Sequence, residues 1–126
     1  MNKTILTTDD SKVIRLMLKN ALTPLGVTVA EAACGQEAVE FLNKQKPDLV
    51  ILDVTMPDMS GIEVLKYIRH QSQHSEVPVV MLTAESDDET VEKANQLGVS
   101  GYVAKPFTME RVIEVVSGLL ESTVAS

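Results

Sequence analysis

Five short apolar runs, Thr4 to Thr8, Val27 to Ala32, Leu49 to Leu52, Val79 to Thr83 and Tyr102 to Ala104, are separated in every case by a stretch of helical spacing. Each run has strand length, and most are rich in β-branched residues. Strict alternation of this kind leaves few folds open. Parallel strands need long crossovers, the crossovers are right-handed helices, and the helices cover both sheet faces. The expected class is therefore α/β, a doubly wound five-stranded parallel sheet with five helices. Runs Leu49 to Leu52 and Val79 to Leu82 are apolar at every position, as strands buried on both faces should be. The first run departs from this, with Thr7 and Thr8 at aliphatic positions.

The spacing predicts a first helix from Ser11, a capping residue, to about Leu22, with Val13, Met17 and Ala21 on one face, Ile14 and Leu18 beside them, and Gly26 as its stop. A second runs from about Gly35 to Gln45 and buries Ala38, Val39 and Leu42 before Pro47. A third starts near Gly61 and turns Ile62, Leu65 and Ile68 inward. The fourth covers about Asp87 to Leu97, opens on acids that suit a helix N-terminus, and stops at Gly98. The last carries the strongest apolar stripe: Val112, Ile113, Val116, Leu119 and Leu120. Ser122 to Ser126 read as a loose tail.

At 126 residues a single hydrophobic core closes without metal or disulfide support, so residues 1–126 are expected to form one domain with its core at about 3–120. The net charge of -7 and the presence of only four aromatics, Phe41, Tyr67, Tyr102 and Phe107, argue against nucleic-acid binding. One cysteine, Cys34, cannot form an internal disulfide, and no run approaches the ~20 apolar residues of a membrane span. A soluble, cytoplasmic monomer is expected. His70 and His74 fall in a polar, loop-like stretch and are not read as metal ligands.

In an open parallel sheet, ligands bind outside the carboxyl ends of the strands, where the strand order reverses. Here those ends deliver Asp9 and Asp10, Asp53, Thr83 and Lys105. Any one of them has a plain structural explanation: a helix cap, a loop acid, a terminal hydroxyl, a solvated lysine. Their convergence does not. Carboxylates ~5 Å apart at an effective dielectric of ~20 repel by about 3 kcal/mol per pair, so the cluster should take up a proton or recruit a cation. Hard oxygen ligands, too few for a calcium cage, suit Mg²⁺. A cation, an ammonium and a hydroxyl around one carboxylate make a phosphoryl-transfer site.

The motifs Thr8-Asp9-Asp10, then Leu52-Asp53-Val54-Thr55-Met56-Pro57 with Ser60-Gly61, then Leu82-Thr83-Ala84, then Gly101-Tyr102-Val103-Ala104-Lys105-Pro106-Phe107 resemble the receiver domains of two-component response regulators, most closely the CheY-like, single-domain receivers of chemotaxis. The match runs from about Lys3 to Gly118. The resemblance, and not the apolar pattern, supplies the flavodoxin-like strand order 2-1-3-4-5. It implies that Asp53 is the nucleophile, accepting a phosphoryl group from a histidine kinase. It implies that Asp10, Asp53 and the backbone carbonyl of Thr55 hold Mg²⁺, with Asp9 reaching it through water. Lys105 would pair with the phosphoryl oxygens, Thr83 would donate its hydroxyl to one of them, and Lys105-Pro106 resembles the family's cis peptide. Tyr102 would be the switch aromatic, reshaping the face of the fourth helix, fifth strand and fifth helix, where a downstream protein docks. The chain would then be no enzyme in the ordinary sense but a phospho-acceptor with self-catalysed transfer and slow self-dephosphorylation.

Thr55 and Glu85 flank the route of the hydrolytic water in that family, so the phosphoryl lifetime stays open. Also open is a phosphorelay intermediate or phosphate sink, which has the same site and no switched target. An aspartyl phosphatase of the haloacid dehalogenase type would need an aspartate where Thr55 stands. A flavin-binding fold would need a Ser/Thr/Gly-rich loop where Asp9 and Asp10 stand.

Overall fold

The computed structural model describes residues 3–54, 58–71, 74–84, 88–105 and 107–125, and of residues 83, 84, 88, 90, 105 and 121–125 it describes the backbone alone. Five strands, β1 (Lys3–Thr8), β2 (Val27–Ala32), β3 (Leu49–Asp53), β4 (Val79–Ala84) and β5 (Gly101–Lys105), alternate with α1 (Lys12–Leu22), α2 (Gly35–Lys44), α3 (Gly61–His70), α4 (Asp88–Gln96) and α5 (Met109–Ala125). All strand pairs are parallel, in the order β2-β1-β3-β4-β5. The chain builds from β1 outward to β2 and then restarts on the other side of β1 with β3. The order therefore reverses between β1 and β3.

Period-two alternation sends successive residues of the central strands to opposite faces. Leu6, Val50, Leu52, Val79 and Met81 pack with Ala38 and Leu42 of α2, Val64, Leu65 and Ile68 of α3 and Ala94 of α4. Ile5, Leu49, Ile51, Val80 and Leu82 pack with Leu18 and Leu22 of α1 and Val112 and Val116 of α5. Every residue of β3 is buried. Each fully buried aliphatic side chain here contributes about 1.5–3 kcal/mol, so the central strands form the rigid platform for whatever their ends carry.

Three local expectations change. In α1 the inward stripe is Ile14, Leu18 and Leu22, while Val13 is 66% exposed and Met17 42% exposed. The helix continues in α5 to Ala125, through the segment expected to be a loose tail. His70 is the last residue of α3, and His74 is buried, its Nε2 2.7 Å from the Leu42 carbonyl oxygen at the end of α2. A short 3-10 turn, Thr23–Leu25, with Pro24 in its first turn, follows α1 and ends on Gly26 in the left-handed region at φ 80°. Gly98 closes α4 the same way at φ 74°.

Candidate functional site

The register brings the polar strand ends to one edge. Thr8 of β1 pairs with Leu52 of β3, so the next residues along, Asp9 and Asp53, stand level. Asp53 pairs with Leu82, Thr83 with Ala104, and Ala84 with Lys105. The acids of β1 and β3 thus flank the reversal of strand order, the position where an open α/β sheet leaves a crevice.

Asp9, Asp10 and Asp53 each offer a carboxylate oxygen to one cluster, all within 4.8 Å of one another. Asp9 and Asp53 are buried at 1% and 3% exposure, whereas Asp10 is exposed. Two acids set into an apolar sheet edge with a third at the mouth give a negatively charged, hard-oxygen pocket open on one side. Three such donors at this separation fit a small divalent ion that keeps some of its water, the usual habit of Mg²⁺.

Local bonds hold Asp9 in place. The Asp9 backbone N–H donates to the Ala32 carbonyl (3.1 Å), extending the pairing of β1 with β2, while its Oδ1 accepts from the Ser11 N–H (2.9 Å). Ser11 in turn caps α1 through the Ile14 N–H. So Asp9 does make the turn contact that a helix-start acid would make, and it also belongs to the cluster. Arg15 braces the same segment from behind, donating to the Asp9 carbonyl (2.7 Å) and pairing with Glu31 (3.0 Å).

The segment after Asp53 is pinned as closely. The Val54 N–H donates to the Leu82 carbonyl (3.0 Å), and the Gly61 N–H donates back to the Val54 carbonyl (2.8 Å). A Cβ on residue 61 would lie 2.5 Å from the Asp53 carbonyl oxygen and 2.9 Å from Val54 Cα, so glycine is required there by close approach. Asp58 accepts three backbone N–H bonds, from Gly35 (3.0 Å), Gln36 (2.8 Å) and Met59 (2.9 Å). The bond from Gln36, then that from Gly35, hold its carboxyl below the usual carboxylate range. Sequence reasoning passed over Asp58, because a loop acid that caps a helix 23 residues away leaves no local pattern.

Tyr102 is half-buried against the α2/α3/α4 face of the sheet, and its hydroxyl donates to Asn95 Oδ1 of α4 (3.2 Å). Thr83 is the last residue but one of β4 and Lys105 ends β5, both on the site's edge, but their side chains lie outside the described residues. Thr55, Glu85 and Pro106 lie outside them altogether. Among the described residues no helix is long and apolar enough to cross a membrane.

The response regulator receiver domain family matches residues 5–117. The chain is 40% identical over 121 residues to the chemotaxis protein CheY-3 of Vibrio cholerae, covering 95% of this chain and 93% of that protein. It is 32% identical over 120 residues to sporulation initiation phosphotransferase F of Bacillus subtilis, covering 95% of each. Among solved structures, the chemotaxis response regulator CheY4 of Vibrio cholerae superposes with a TM-score of 0.88 at 35% identity, over 94% of this chain and 99% of that one.

Proposed function

The chain belongs to the response regulator receiver domain family, and from that premise we propose that it is a phosphorylatable switch that takes a phosphoryl group from a histidine kinase on Asp53. The observation that carries this reading is the buried carboxylate of Asp53 standing with Asp9 and Asp10 within 4.8 Å at the reversal of strand order. A carboxylate oxygen of Asp53 attacks the phosphorus of a phosphohistidine. The P–N bond breaks, its electron pair leaves with the imidazole, and the imidazole picks up a proton. The product on this chain is an acyl phosphate.

Asp9, Asp10, Asp53 and the Thr55 carbonyl are the residues that would hold Mg²⁺. The ion supplies charge neutralisation across the carboxylates and the incoming phosphoryl oxygens. Asp53 is presented by a fully buried strand, so its approach geometry is fixed before the donor arrives. Lys105, at the end of β5, is assigned to the phosphoryl oxygens, and Thr83, at the end of β4, to a hydroxyl donation that draws β4 toward the modified Asp53. Tyr102, packed beside α4, is assigned to transmit that movement to the α4-β5-α5 face, where a downstream protein docks. A shallow cavity of about 440 Å³ lies on that face, lined by Tyr102, Val103, Ala104, Phe107, Thr108 and Arg111.

We take residues 1–126 as a single receiver, monomeric and cytoplasmic; the match over 93% of CheY-3 agrees with a single receiver and makes chemotaxis the first pathway to test. The likeness to a sporulation phosphotransferase favours, as a second reading, a relay intermediate without a switched target. Incubation with Mg²⁺ and acetyl phosphate should give an acid-stable, base-labile adduct on Asp53, absent from Asp53→Asn. Equal labelling of both proteins would refute the assignment. Beryllofluoride should then alter amide shifts across α4, β5 and α5 in the switch; an unchanged face would favour the relay.

A further inference from the structure

Arg15 occupies a place in α1 where a charge is costly. Arg15, Leu18 and Leu22 follow the i, i+3, i+7 spacing of one helix face, and Leu18 and Leu22 are fully buried against the sheet. The Arg15 side chain is accordingly only 14% exposed. A guanidinium so placed needs partners for its charge and its N–H groups. On the sheet side, Val27 and Val29 of the edge strand β2 pack in the same cluster as α1, and period-two alternation makes Glu31 the next residue of that column. Its Oε1 stands 3.0 Å from Arg15 Nε. With that part of the planar fork engaged, Nη1 donates to the Asp9 carbonyl at 2.7 Å. Meanwhile the Arg15 backbone N–H donates to the Ser11 carbonyl (3.0 Å). One residue thus ties the end of β1, the end of β2 and the start of α1 together.

The carbonyl that Arg15 grips belongs to the peptide joining Asp9 to Asp10, in the short connection between β1 and α1. Asp9 is held on its other sides by the Ala32 carbonyl and the Ser11 N–H. Asp10 is the exposed acid of the cluster, and the plane of that peptide sets where its side chain starts. Mg²⁺ accepts only near-ideal octahedral geometry, with oxygens at ~2.0–2.1 Å, so a small displacement of a donor weakens binding. We propose that Arg15, backed by Glu31, is a positioning residue for the cation site, fixing the Asp9–Asp10 peptide so that both carboxylates stand with Asp53. This inference rests on the reading of the acid cluster as a cation site. It makes a prediction of opposite sign to simple electrostatics. Taking a positive charge away from beside a cation site should tighten cation binding, whereas loss of positioning should weaken it.

The test uses Mn²⁺ as the probe, its free concentration read by electron paramagnetic resonance, on the full chain as wild type, Arg15→Ala, Arg15→Lys, Glu31→Ala and the Arg15→Ala/Glu31→Ala double variant. Arg15→Ala should bind Mn²⁺ about tenfold more weakly, the lower end of what losing an outer-shell partner costs a metal site. Arg15→Lys keeps the charge and loses the fork, so it should weaken binding nearly as far, and it carries the comparison if Arg15→Ala does not fold. Glu31→Ala should weaken binding less, and the double variant should be no weaker than Arg15→Ala, because Glu31 acts only through Arg15. Amide exchange at Ser11, whose N–H donates to Asp9, should quicken in both Arg15 variants. Unchanged or tighter Mn²⁺ binding in Arg15→Ala and Arg15→Lys, even with lowered urea midpoints, would overturn the positioning role alone. Additive losses in the double variant would overturn the part given to Glu31. A wild type that does not bind Mn²⁺ would overturn the cation reading of the cluster and this inference with it.

Discussion

Replacing Asp53 by asparagine keeps the side chain's shape and removes one charge from the cluster, so its effect on stability reads the electrostatic strain at the site. The carboxylate oxygens of Asp9, Asp10 and Asp53 lie within 4.8 Å of one another. At that separation a pair of charges repels by about 3.5 kcal/mol at an effective dielectric of 20 and about 0.9 kcal/mol in bulk water. The buried Asp9–Asp53 pair belongs near the first figure and the Asp53–Asp10 pair, with one exposed member, near the second. Their sum, about 4 kcal/mol, is a ceiling, because nearby N–H dipoles and relaxation offset part of it. Asp53→Asn should therefore raise the unfolding free energy in EDTA by roughly 2–4 kcal/mol, seen as a higher urea midpoint with unchanged slope. With Mg²⁺ at a hundredfold above its dissociation constant, wild type should gain about 2.7 kcal/mol and close most of the gap, while the variant gains less. Asp48→Asn is the control: it changes net charge equally, but Asp48 Oδ2 accepts the Thr4 N–H at 2.8 Å, so its loss should not stabilise. If Asp53→Asn is no more stable than wild type in EDTA, the three acids are already compensated within the protein, and the argument for cation recruitment fails.

Gly61→Ala should cost about 1–3 kcal/mol in urea unfolding, because the new Cβ meets two backbone atoms and Met81 Cε within 3 Å; a neutral result would mean the Asp53 segment shifts freely. Arg69 donates to the carbonyls of Val77 (2.9 Å), Leu97 (3.0 Å) and Gly98 (2.9 Å), joining α3 to the segments that follow it and α4. Arg69→Ala should cost about 2–4 kcal/mol by the same measurement, and Arg69→Lys should not restore it, since an ammonium lacks the planar fork that spans three acceptors. Thr8 is fully buried and its hydroxyl has no hydrogen-bond partner among the described residues. Thr8→Val should then stabilise by about 1 kcal/mol, whereas Thr7→Val, which gives up a bond to the Ala30 carbonyl (3.2 Å), should gain less. The depressed pKa of Asp58 means that its contribution to stability is fully present above the unfolded value of 3.8 and fades as pH falls through the lower folded value. The stability difference between wild type and Asp58→Ala should accordingly be flat from pH 5 to 8 and shrink below pH 3.8.

What the sequence made legible was whatever has a short period or a fixed place in an alternation. All five strands sit where apolar runs predicted them, with end residues shifted by at most one, because a strand buried on both faces leaves nothing but apolar side chains to choose from. The acids at the ends of β1 and β3 were legible for the same reason, a charge directly after such a run being conspicuous. The inward face of α1 was not. Val13, Ile14, Leu16, Met17, Leu18, Ala21 and Leu22 are apolar almost all the way round the helix, and period alone cannot choose between a stripe through Met17 and one through Leu18 and Leu22. The choice is made by α5 and the sheet, which receive Leu18 and Leu22 and leave Val13 and Met17 outside. The burial of His74, which does lie in a turn, was not legible, because a histidine in a polar segment carries no mark of burial; the Leu42 carbonyl beside its ring comes from α2.

Asp58 belongs with these long-range cases, and it shows why the acids of the cluster were easier to find than the contacts around them. Asp53 stands at a strand end, in a position dictated by sheet topology, and topology is written in the apolar pattern. An acid such as Asp58, which ties one segment to another, is placed by whatever backbone passes nearby in the finished fold. Gly35 and Gln36 offer their N–H groups only because Cys34 does not take them and because β2 delivers α2 next to the β3–α3 loop. Either condition could change without disturbing the strand ends. The acid cluster is therefore the part of this site fixed by the fold itself, and the contact of Asp58 with the start of α2 is a part that a chain of the same fold could change without altering an acid of the cluster.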